Sequence, residues 1–133
     1  MFTIEQHYID EMVAHARQEA PLECCGVLGG KGGRVLRLYQ ATNAEHSRYR
    51  YNIDSQELFR INRECEENGW QFLAIYHSHP DGAAYPSPTD IRLAALWPGS
   101  LYFIVSLSSP EKPGVHAFRI RDGEVTEEEL RIV

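Results

Sequence analysis

Two histidines one residue apart, His77-Ser78-His79, close the apolar run Phe72-Leu73-Ala74-Ile75-Tyr76 and are followed by Pro80. Side chains two apart on a strand share a face, so this run delivers both imidazoles to one side of a strand end. Ser87-Pro88-Thr89-Asp90 then has the form of a helix start. Serine suits the N-cap, proline the first helical position, and aspartate the electropositive first turn. Two imidazoles and one carboxylate make three protein ligands. That is the set of a hydrolytic zinc site whose fourth position is left to water. Each residue alone also has an ordinary structural use, as a strand-end polar group or a helix cap; the combination at this spacing points to a metal.

A further carboxylate fits the same chemistry. Glu23 lies between Pro21, which must stop a helix, and the apolar stretch Cys24-Cys25-Gly26-Val27-Leu28. A carboxylate entering a buried strand needs a reason. A zinc-activated water supplies one: Glu23 takes its proton as general base and passes it to a leaving amine. His77, His79 and Asp90 are then the expected ligands of Zn²⁺. Ser87 is the expected hydroxyl donor to the oxyanion of an attacked amide. Ser78 points to the opposite face and takes a structural role.

With these residues assembled, the chain resembles the JAMM (MPN-plus) zinc metalloproteases, in their prokaryotic single-domain form. Their signature is an upstream Glu, then His-Ser/Thr-His-Pro with seven residues between the second His and a Ser, then two residues and Asp. It stands here as Glu23, His77-Ser78-His79-Pro80, Ser87 and Asp90. The surrounding pattern of that Glu also matches, at Pro21, Cys25, Gly26, Leu28 and Gly30. The resemblance spans nearly the whole chain. It implies an α/β fold with a mixed, curved β-sheet flanked by helices, of the cytidine-deaminase-like kind. The intact set implies an active isopeptidase or peptidase. The substrate it implies is the C-terminal tail of a small ubiquitin-like or sulfur-carrier protein, with either a lysine or a cysteine on the amine side. The short link Trp97 to Ser100 lacks the longer insertion of ubiquitin-chain-specific relatives, which favours a small carrier. A Gly-Gly tail suits such a cleft, because glycine lets the backbone approach closely.

Composition is consistent with this reading. At 133 residues, 43% of them hydrophobic and 24% charged, residues 1–133 are expected to form one soluble domain. No apolar run approaches a membrane span and no signal peptide is evident, so a cytoplasmic location is expected. The three cysteines form no Cys-x-x-Cys pair, which argues against a disulfide scaffold or a cysteine zinc knuckle. A net charge of −6 disfavours nucleic acid as a partner.

The remaining pattern alternates helix and strand. Ile9, Met12, Val13, Ala16 and Ala20 mark a helix from about Gln6 to Ala20. Cys25–Gly29 and Val35–Tyr39 read as a hairpin across Gly29–Gly33, a glycine cluster without the spacing of a phosphate loop. Arg48 to Ile53 alternates as a half-buried strand whose arginines are expected to form a solvated face, pairing with a substrate tail being the alternative. Asp54 and Glu57 suggest a capping box, opening a helix through Leu58, Ile61 and Cys65 to Asn68-Gly69. The histidine strand spans Gln71 to His77, and a helix runs from Pro88 to about Leu96. Leu101–Val105 is a buried strand, and Val115–Arg121 with Glu124–Val133 forms a final hairpin. His7, His15, His46 and His116 read as surface or partly buried residues.

Other classes fit less well. A non-catalytic scaffold of the same fold does not need the full residue set. A phage-tail or cell-wall peptidase of this fold usually carries a partner domain. A metallo-β-lactamase-like site needs a histidine where Gly82 stands, and a zinc deaminase needs His-x-Glu with Pro-Cys-x-x-Cys.

Overall fold

The computed structural model describes residues 2–109 and 111–133. Its elements are β1 (Phe2–Ile4), α1 (Gln6–Glu19), β2 (Cys25–Lys31), β3 (Arg34–Ala41), α2 (Ser55–Glu67), β4 (Gln71–His79), α3 (Pro88–Leu93, continued as a 3₁₀ turn Ala94–Leu96), β5 (Leu101–Ser106), β6 (Gly114–Arg121), β7 (Glu124–Glu128) and β8 (Leu130–Ile132). The strands form one mixed sheet in the order β7-β6-β5-β4-β2-β3-β1-β8. Only Glu129 separates β7 from β8, yet they stand at opposite ends of that order. The sheet must therefore curl nearly closed.

Strand alternation divides the interior in two. Leu28, Ala74, Tyr76, Phe103 and Val105 face α1, packing on its Ile9, Met12 and Ala16. Val27, Ile75 and Tyr102 face the other side, where α2 brings Ile61 and Cys65. Residue 77 has the parity of Ile75, so both histidines belong to the α2/α3 side. β4 and β5 are parallel and joined through α3. The right place for a site in such a unit is the carboxyl end of the strand, where the next helix begins. His77, His79 and the first turn of α3 occupy it. β2 runs antiparallel to β4, with Cys25 opposite His77. Gly26 is required there: a Cβ would collide with the Tyr76 ring and the Tyr39 carbonyl.

Several expectations are corrected. Residues 48–52 form no strand; an isolated bridge joins Asn43 to Ile53. The buried Asn43 side chain serves this loop instead. Its Nδ2 donates to the carbonyls of Glu23 and Arg50, at 3.1 and 3.0 Å. Its Oδ1 accepts from the backbone N–H groups of Glu45 and Asn52, at 3.0 and 3.1 Å. Backbone satisfied by a side chain has no need of a ladder. Of the expected inward residues, Ile53 is buried but Tyr49 is exposed.

The Asp54 cap forms, accepting from the Glu57 N–H at 3.1 Å. The Glu57 carboxylate, however, turns to the Thr42 N–H and hydroxyl rather than completing a box. The final hairpin ends at Glu128, and β8 leaves it to pair parallel with β1, a strand not anticipated. His15 is buried, with Nδ1 2.8 Å from the Tyr76 hydroxyl, whereas Ala20 is exposed.

Candidate metal centre

β4 extends through His79, so both imidazoles leave one face of a continuous strand. α3 supplies the third group. Ser87 is its N-cap: its Oγ accepts the Asp90 N–H at 3.1 Å, and Asp90 Oδ2 accepts the Ser87 N–H at 2.9 Å. This reciprocal box fixes the Asp90 carboxylate at the helix entrance, pointed at the end of β4. His77 Nε2, His79 Nε2 and Asp90 Oδ2 form a triangle with every side 3.1 Å. His77 is 1% exposed and Asp90 7%.

Protons alone serve such a triangle poorly. His79 Nδ1 lies 2.8 Å from the Ala83 carbonyl and donates to it. In neutral His79 the Nε2 lone pair then faces the Asp90 oxygen and the second imidazole nitrogen. A cation at the centre relieves that repulsion and engages all three groups. Neighbouring vertices around a four-coordinate ion with bonds of about 2.0–2.1 Å lie roughly 3.3–3.4 Å apart, close to what is found. The donor set thus fits a divalent metal.

Without an ion, protons carry the balance. Burial opposes charge on Asp90, but hydrogen bonds from His77 and His79 hold its carboxyl well below the usual range. Burial also works against protonation of His79, but its bond to Asp90 raises the pKa. Burial lowers that of His77. Metal binding would displace these protons.

Glu23 stands beside this cluster. Cys24 faces Ser78 across the β2–β4 pair: the Cys24 N–H donates to Ser78 Oγ at 2.8 Å, and the Ser78 N–H to the Cys24 carbonyl at 3.2 Å. Continuing that register sets Glu23 opposite His79. Ser78 is thus the clamp between the two chains. The Glu23 N–H donates to the Ser47 carbonyl at 2.9 Å, so the residue is held on both sides. It is 3% exposed, and its Oε1 has no hydrogen-bond partner among the described residues. Burial pushes its carboxyl up to about 8. Glu23, Ser87 and His79 line one cleft of about 280 Å³ with Arg48, Tyr49 and Asp81.

All five residues singled out from the sequence therefore meet at one place. Tyr51 was missed: its ring stacks on His77 at 4.4 Å between centroids. Alternation placed it inward, but nothing local told which imidazole it covers. The Ala83 carbonyl was also missed, since any residue carries one.

A family model described as prokaryotic homologs of the JAB domain matches residues 5–121. The chain belongs to the prokaryotic JAB family. Among JAB relatives it is 41% identical to a CysO-cysteine peptidase of Mycobacterium tuberculosis, over 100% of this chain and 92% of that protein. It is 38% identical to a desampylase of Haloferax volcanii, over 73% of this chain and 74% of the relative. The JAB fold is shared with a solution structure from Desulfitobacterium hafniense, at a TM-score of 0.89 and 39% identity, covering 100% of this chain and 93% of the other.

Proposed function

We propose that this JAB protein is a zinc-dependent metallopeptidase that cuts a peptide or isopeptide bond at the C-terminal tail of a small ubiquitin-like or sulfur-carrier protein. The observation that carries this reading is the largely buried 3.1 Å triangle of His77, His79 and Asp90 with the unpaired Oε1 of Glu23 beside it. The relatives' names, a CysO-cysteine peptidase and a desampylase, support the substrate class.

His77, His79 and Asp90 would hold the ion. A bound Zn²⁺ supplies Lewis acidity, lowering the pKa of water and polarising the scissile carbonyl. Glu23 takes one proton from the attacking water and holds it for the departing amine. The Ser87 hydroxyl accepts from Asp90 N–H and has its own proton to donate to the carbonyl oxygen as that oxygen becomes negative. When the C–N bond breaks, Glu23 gives its proton to the departing amine. Water is consumed, and a carboxylic acid and an amine are formed. Tyr51 shields the His77 face from solvent.

The test uses a purified carrier ending in Gly-Gly with a C-terminal adduct, followed by mass spectrometry with and without chelator. Release that stops on chelation, returns with Zn²⁺ and is abolished when the terminal Gly becomes Val is expected. Equal release from the Val tail would overturn the assigned tail, and release that survives full metal removal would overturn the mechanism.

A further inference from the structure

Arg48 is the one arginine or lysine, among the described residues, that lines the cleft shared by Glu23 and His79. Its backbone is anchored on both sides. The preceding carbonyl, of Ser47, accepts the Glu23 N–H at 2.9 Å. Two residues later the Arg50 carbonyl accepts from Asn43 Nδ2, the amide that also holds the Glu23 carbonyl. One buried asparagine thus ties the loop of Arg48 to the residue that gives the leaving amine its proton. The guanidinium meets a carboxylate at the cleft mouth, with Nη2 3.1 Å from Asp81 Oδ2. That contact uses one of five N–H donors, and both side chains are substantially exposed, so the pair exchanges readily.

The chemistry of the leaving group gives this placement its meaning. When the amine is that of a free amino acid, a carboxylate lies on the carbon next to the nitrogen that Glu23 protonates. When the amine belongs to a lysine side chain, that carbon bears only methylene. A guanidinium lining the same cleft as the proton donor distinguishes the two, because its planar fork matches a carboxylate.

We propose that Arg48 binds the α-carboxylate of the released residue, exchanging it for Asp81, and so makes this chain selective for removing a single C-terminal amino acid. This rests on the peptidase reading above and specifies its amine side.

The experiment compares two forms of a carrier ending in Gly-Gly-Cys, one with a free carboxylate and one with a C-terminal carboxamide. The wild-type chain should favour the carboxylate by roughly 10- to 100-fold in kcat/KM, chiefly through KM. Arg48→Gln should reduce that preference to about threefold or less, and Arg48→Lys, with the charge but not the fork, should fall between. Melting curves of both variants establish that they are folded. Equal cleavage of the two carriers by the wild type, or an undiminished preference in Arg48→Gln, overturns the assignment while leaving the peptidase reading intact. A wild-type protein that cuts neither overturns both.

Discussion

Glu23 concentrates the tension of the site in one side chain. Its carboxyl is buried with an unpaired oxygen, and burial raises its pKa from 4.5 to about 8. A group whose pKa is higher folded than unfolded binds a proton that the unfolded chain releases. Its stabilising contribution in the metal-free protein is full below about 4.5 and is lost as pH rises through about 8. The melting temperature of chelated wild type should therefore fall over that interval more steeply than that of Glu23→Gln. Parallel curves would remove Glu23 from the titration. Ser87 holds two tasks in one hydroxyl, capping α3 and facing the cleft. Ser87→Ala should cost about 1 kcal/mol of stability from the lost cap and on the order of 10²–10³ in kcat from the lost donor. Unfolding and turnover measured on the same preparation separate them. Lowered stability with kcat intact would leave only the cap.

At the scale of elements, the loop from Asn43 to Ile53 shows how polar groups replace a sheet. Asn43→Ala would strand the carbonyls of Glu23 and Arg50 and the N–H groups of Glu45 and Asn52. Denaturant unfolding should register a loss of roughly 2–3 kcal/mol, and kcat should fall because Glu23 loses an anchor. Unchanged stability would mean that the loop holds without it. This loop was the part of the fold least legible in the sequence. Alternation from Arg48 to Ile53 has strand form, but the decisive group, Asn43, lies outside the run. The ligands were legible for the opposite reason. His77 and His79 share a strand face by parity, and Ser87 and Asp90 share a helix turn, so local spacing alone sets each pair. That Ser78 joins β4 to Cys24, and so carries Glu23 to the histidines, needs a long-range pairing that no short pattern displays. The three-residue strand β1 was illegible too, and so was the break at Glu129 that frees β8 to pair with it; three residues hold too little periodicity to read.

Across the whole molecule, the sheet curls so that β5 is buried throughout and β2 and β4 over most of their length, and the ligands stand where β4 ends and α3 begins. The centre therefore bridges sheet and helix, and a metal bound there would link them. The most direct test of the account measures metal content and turnover of a Gly-Gly-tailed carrier on the same samples of wild type, His77→Ala and Glu23→Gln. The wild type should hold about one zinc per chain and turn over. His77→Ala should hold none and be inactive. Glu23→Gln should keep its zinc while losing on the order of 10²–10⁴ in rate. Stoichiometric zinc in His77→Ala, or near wild-type turnover by Glu23→Gln, would contradict it.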